Sequence, residues 1–100
     1  MPTRAVEFHE AATTDFDVAF DWYLQRSGDA ALRFTAEVDR ALDQISKSPQ
    51  RWAAGPVNTR RFLLKHFPFL LIYRETPSGT IQVLAVAHTS RKPGYWKNRI

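Results

Sequence analysis

The chain has no cysteine among its 100 residues. Disulfides and thiolate metal sites are therefore excluded, and a reducing, cytoplasmic setting is expected. No apolar run approaches the ~20 residues that a membrane span needs. Residues 1–10 lack the apolar segment of a secretory leader, so neither membrane insertion nor export is expected. His9 and His66 stand isolated, so no metal and no other cofactor is expected. Acid is the other shortage. Residues 51–100 carry a single carboxylate, Glu75, against nine Lys and Arg, whereas residues 1–50 carry nine acids and five bases. The halves have charges of −4 and +8, which give the net +4. Such asymmetry points the second half towards an anionic partner.

A chain of this length supports one domain with one modest core. Residues 4–8 alternate weakly and suggest a short strand. From Glu10 the period changes: Ala12, Phe16, Phe20 and Tyr23 share one helical face. Gly28 is expected to stop this helix and Asp29 to cap the next. Phe34, Val38, Leu42 and Ile45 then form a second apolar stripe. Glu37, between Arg33 and Arg40, is assigned to its mixed-charge outer face. Trp22 and Tyr23 are expected to pack the hairpin. Ser48-Pro49 ends the second helix, because the residue before proline avoids the helical region. Residues 50–58 read as a loop. Residues 59–65, 69–75 and 80–88 read as strands joined by short turns. The last of these is apolar enough to suggest a central, doubly covered strand. The order β-α-α-β-β-β implies an α+β fold, with the helical hairpin on one face of a small, mostly antiparallel sheet. The opposite face would carry Arg61, Lys65 and Arg74.

The chemistry concentrates after the last strand, where His88 is followed by Arg91, Lys92, Tyr95, Trp96, Lys97 and Arg99. Such a set suits chemistry on an anionic polymer, which would need one proton removed, one returned and negative charge stabilised between, and it equally suits docking of an acidic partner. Histidine titrates near neutrality, arginine holds phosphate oxygens in pairs, and aromatics stack unpaired bases. The candidate catalytic set is His88, Arg91 and Tyr95. Arg60, Arg61, Lys65 and Lys92 are candidate phosphate or anion ligands. Trp96 and Trp52 are candidates for base stacking or partner contact. Each also has a structural reading: His88 as a satisfied strand-end histidine, Trp96 as a cover for the sheet, Arg60 or Arg61 as partners of acidic helix residues.

The pattern resembles a known family. The carrying residues are Trp22-Tyr23, Arg33-Phe34, Val38 with Ala41-Leu42, Ser48-Pro49 with Arg51-Trp52, Arg60-Arg61 with Lys65, Phe67-Pro68 with Tyr73, and His88 with Arg91, Pro93 and Tyr95-Trp96. Together they are similar to the RelE/ParE superfamily of bacterial toxins from type II toxin–antitoxin modules, often called plasmid stabilisation proteins. The resemblance implies a toxin that arrests growth until a cognate antitoxin, encoded by an adjacent gene, neutralises it in a hetero-oligomer. It leaves the target open between DNA gyrase and ribosome-associated mRNA, and so leaves open whether the chain is an enzyme, a gyrase inhibitor or an inactive antitoxin-binding relic. If an enzyme, it would be a metal-independent endoribonuclease. The antitoxin expected from the charge pattern is an acidic segment that folds on contact and covers His88 to Arg99.

Overall fold

A computed structural model describes residues 3–100. Strand β1 (Val6–Phe8) precedes helices α1 (Glu10–Leu24) and α2 (Gly28–Lys47). A 3-10 turn (Pro49–Arg51) leads to β2 (Ala53–Ala54), β3 (Arg60–Leu63), β4 (Phe69–Glu75) and β5 (Ile81–His88). A second 3-10 turn (Lys97–Arg99) follows.

The helices form where the apolar spacing places them, but their junction differs from expectation. Gly28 is the first residue of α2, and Ser27 is its cap, with its hydroxyl accepting from the Ala30 amide at 3.2 Å. A serine hydroxyl reaches the third amide as well as a carboxylate does, so Asp29 is left inside the first turn, where its charge suits the helix dipole. His9 caps α1 through Nδ1, which accepts from the Ala11 amide at 3.0 Å. Phe34 is fully buried and anchors the hairpin, with ring centroids 5.4 Å from Phe16 and 5.2 Å from Tyr23. Trp22 meets this packing only edge-to-face against Tyr23, with ring centroids 5.1 Å apart. It is 52% exposed, with the Arg26 guanidinium 3.5 Å above its ring.

Glu37 also departs from expectation, since it is only 7% exposed. Its carboxylate accepts from the His66 amide at 2.9 Å and contacts His66 Nδ1 at 2.8 Å. Burial alone would raise its pKa, but the bonds from His66 and the Lys65 backbone outweigh that and lower it. Position 37 lies three residues after Phe34 and four before Ala41, so it belongs to the buried stripe. A charge there needs donors, and the loop between β3 and β4 supplies them.

The sheet order is β1-β5-β4-β3-β2, so β4 rather than β5 is central. β1 runs parallel to β5; the other pairs are antiparallel. The register slips between Ile72 and Tyr73, which face Ala85 and Val83, leaving Leu84 as an extra residue. One extra residue inverts side-chain parity. Ile81 and Val83 therefore point one way before the bulge and Val86 does so after it. Ile81 and Val86 pack with Phe34, Val38, Ile45, Leu71 and Tyr73 beneath the helices. Leu84, Ala85 and Ala87 pack on the far face with Ile72 and Trp96. Arg61, paired with Ile72, lies on that far face as expected, and so does Arg74, whose Nε donates to Gln82. Lys65 lies beyond the end of β3.

Residues 50–58 are more ordered than a plain loop. β2 pairs with β3, and Thr59 donates its amide to Pro56 at 3.2 Å around Val57 and Asn58. Both central residues are left-handed, with φ of 58° and 57°. Asparagine tolerates that region, whereas a β-branched valine is strained there. Val57 is 57% exposed and recovers little of the cost by packing. Val57→Gly is expected to stabilise the protein by about 1 kcal/mol, the strain of ~1–2 kcal/mol less the flexibility cost of glycine. The check is a urea transition whose midpoint rises at unchanged slope; a lowered midpoint contradicts the strain.

Candidate functional site

Strand β1 ends at Phe8, opposite Val83, so β5 runs on from Leu84 to His88 with no strand beside it on that side. Backbone groups left there must find partners. Asp15 of α1 supplies one, as its Oδ2 accepts from the Val86 amide at 3.1 Å. Arg99 supplies another, donating from Nη1 to the Leu84 carbonyl at 2.9 Å. The same Nη1 meets Asp15 Oδ2 at 2.7 Å, and Nη2 meets Oδ1 at 3.3 Å. The Tyr95 hydroxyl donates to Asp15 Oδ2 at 3.1 Å. One carboxylate thus ties α1, β5 and the C-terminal segment together. Asp15 shares a helix face with the buried Ala12 and Ala19, which is the only sign of this in the sequence. Its partners lie about seventy to eighty-four residues away.

The segment after β5 is folded tightly. Arg91 donates its amide to the His88 carbonyl at 2.9 Å, and Ser90 directs its amide (3.0 Å) and hydroxyl (2.7 Å) at His88 Nδ1. An amide can only donate, so Nδ1 is an acceptor and the neutral ring carries its proton on Nε2. The ring stands edge-on to Phe69 at 5.1 Å. Gly94 has φ of +78°, and a Cβ there would lie 2.8 Å from Lys97 Cε. That turn delivers Trp96 to the far face of the sheet, where it is 5% exposed. Arg91 stacks on Tyr95 with its guanidinium 3.9 Å from the ring centre, and Arg99 lies 5.0 Å from the same ring.

His88, Arg91 and Tyr95 are brought together, at the border of two grooves. One, of about 430 Å³, runs between α1 (Val18, Ala19, Trp22, Tyr23) and the β4–β5 end (Phe69, Val86), and is largely apolar. The other, of about 250 Å³, lies on the far face between the β2–β3 turn and the C-terminal segment. Arg61 and Lys92 of the expected anion set line this second groove, together with Lys97. Arg60 and Lys65 do not. Arg60 donates to the Trp52 carbonyl at 2.7 Å, and Lys65 lines a separate depression with Arg40 and Glu37. Trp52 packs against Phe62 with centroids 4.4 Å apart, and Trp96 is buried; neither offers a free stacking face. Among the described residues no cluster of three or more His, Cys, Asp or Glu could hold a metal ion, and no helix is long and apolar enough to cross a membrane.

Burial raises the pKa of Tyr95, and the charge of Asp15 and its hydrogen bond raise it further, against the nearby arginines. The Asp15 bond raises Arg99 as well, against its own burial. Tyr23 is raised by burial, and Tyr73, which donates to the Pro49 carbonyl, is pushed up to about 12 for the same leading reason. The folded state therefore favours all three neutral phenols. Their stabilising contribution is complete below the unfolded value of 10.0 and is lost as pH rises through each folded value, which for Tyr73 lies at about 12. Ultraviolet titration is expected to show less phenolate at pH 10.0 in the folded protein than in denaturant, where roughly half is ionised. Half-ionised tyrosine in the folded state at that pH contradicts the assignment.

The geometry can be set beside known proteins. A family model described as the ParE toxin of the type II toxin–antitoxin system, parDE, matches residues 6–93. No curated protein sequence matches the chain. A solved structure described as the chromosomal ParDE TA system from P. aeruginosa superposes with a TM-score of 0.74 at 20% identity, covering 88% of this chain and 98% of that one. At that identity the superposition speaks for the fold alone, an α+β arrangement of two helices on a five-stranded mixed sheet. The family match stops at Pro93, so Tyr95, Trp96, Lys97 and Arg99 lie beyond it. The matched segment spans both helices and all of β2 to β5, and on it the chain belongs to the ParE toxin family of type II toxin–antitoxin systems.

Proposed function

We propose that this toxin arrests growth by binding DNA gyrase in the cytoplasm, not by cutting mRNA, and that an antitoxin from an adjacent gene neutralises it in a hetero-oligomer. The observation carrying the choice is how the proton-transfer candidates are occupied. The Tyr95 phenol is given to Asp15 and its pKa is raised. His88 Nδ1 is given to Ser90. Phosphodiester cleavage needs a base and an acid placed on either side of the phosphate. Only His88 Nε2 is left at the groove mouth, beside the stacked Arg91. A binding poison needs neither acid nor base, only a rigid surface, and the Asp15 network provides rigidity.

The apolar groove along α1 supports the antitoxin part of the reading. Val18 and Trp22 are exposed there, and His88 and Arg91 stand at its end. A disordered segment with apolar anchors and acidic flanks would bury the first pair and meet the second.

With purified protein in excess, gyrase supercoiling is expected to stop and cleaved DNA to stay bound to the enzyme. Product of the neighbouring gene should restore supercoiling, and Trp22→Ala should weaken that rescue by about tenfold, as for loss of an interface anchor. Unaffected supercoiling, with ribosome-bound mRNA cut at a rate that His88→Ala lowers by ~100-fold or more, would establish the endonuclease instead. Absence of growth arrest on expression would leave only the relic.

A further inference from the structure

We propose that the far-face groove is a docking site for a single-stranded DNA segment, held through its phosphates. The inference deepens the gyrase reading, on which its biological meaning rests, but the binding is measurable without gyrase.

The charge carries the argument. Arg61, Arg91, Lys92 and Lys97 line the groove, and no carboxylate lines it with them. Among the described residues none of the four forms an ion pair, whereas Arg4, Arg33, Lys47 and Arg99 all do. All four residues are exposed, and what sets them apart from the other unpaired cations is that they share one groove. They come from two places, β3 and the segment after β5, brought to one rim by the burial of Trp96 and the left-handed turn at Gly94. Concentrating like charge on one rim opposes folding, so an external anion is the natural counterpart.

The floor defines the anion further. It is made of Leu70, Ile72, Ala87 and Trp96. A cationic rim over an apolar floor suits a strand whose phosphates run along the edge while sugar and base rest below. The gyrase reading selects DNA over RNA as the strand. At about 250 Å³ the groove admits a nucleotide, not a double helix. A purely acidic peptide such as polyaspartate would match the rim but gain nothing from the floor.

The test is fluorescence anisotropy of the full chain with a labelled mixed-sequence single-stranded DNA at several salt concentrations. Four phosphate contacts predict a log–log salt slope of about −2.8, which is ~50-fold weaker binding from ~50 to ~200 mM salt. The double variant Arg61→Gln, Lys92→Gln is expected to halve the slope to about −1.4, or ~7-fold over the same range. Both side chains are exposed, so an unchanged thermal transition confirms folding. Arg33→Gln with Arg40→Gln removes equal charge from α2, behind the opposite sheet face, and should leave the slope near wild type. Equal loss in both double variants overturns the proposal, because it marks diffuse attraction. So does tighter binding of duplex DNA, of RNA of the same sequence, or of polyaspartate. Gyrase inhibition with a groove variant that binds DNA normally overturns the groove alone. Groove-dependent DNA binding without gyrase inhibition upholds the groove and removes the gyrase reading.

Discussion

The Asp15 carboxylate is the constraint on which the functional end of the molecule depends. β1 is too short to cover β5, and the bulge at Leu84 turns the uncovered half so that Val86 joins the helix-side core. The exposed strand edge would invite pairing with another chain. Asp15 and Arg99 occupy it with side chains, taking the Val86 amide and the Leu84 carbonyl. The two are each only 14% exposed, so an isolated charge there would be costly. Tyr95 and the backbone amide complete the set of donors to Asp15 and make burial tolerable.

From that tie follows the separation of the two grooves. With Arg99 fixed, the preceding turn at Gly94 lays Trp96 on the far face and lines up Arg91, Lys92 and Lys97 with Arg61. The helix hairpin, with most of the acids, is on the other face. The charge asymmetry between the halves of the sequence thus becomes an asymmetry between faces of the sheet. His88, Arg91 and Tyr95 sit on the border, touching both grooves. A partner filling the apolar groove and a strand filling the cationic one would meet at these residues, so occupation of one can be felt at the other.

The helical stripes and the three-stranded meander were legible because their periods of 3.6 and 2 report packing directly. Ser27 and Asp29 are both good caps, and sequence alone does not say which will reach the right amide. Glu37 carried a signal, its place three residues from Phe34, but its partner His66 is set by tertiary folding. The run from Ile81 to His88 is so uniformly apolar that its bulge left no mark on the pattern. Of the candidate site residues, those close in sequence, His88, Arg91, Lys92 and Tyr95, stay together. Arg61 joins them through strand register, whereas Arg60, one position away, points to the helix side and cannot. Trp52 and Trp96 went to packing, since large aromatics next to an apolar sheet gain more from burial than from exposure. Asp15 and Arg99 were invisible as a pair because nothing local links them.

The most direct measurement is a double-mutant cycle on Asp15→Ala and Arg99→Met, read by urea unfolding. If the carboxylate and guanidinium together close the β5 edge and hold the C-terminal segment, the two changes will be strongly coupled. The coupling energy should then be about 1–3 kcal/mol, as for residues sharing one buried network. Losses that add to within ~0.5 kcal/mol would mean that the two side chains act independently, and the tie between α1 and the C-terminal segment would be gone.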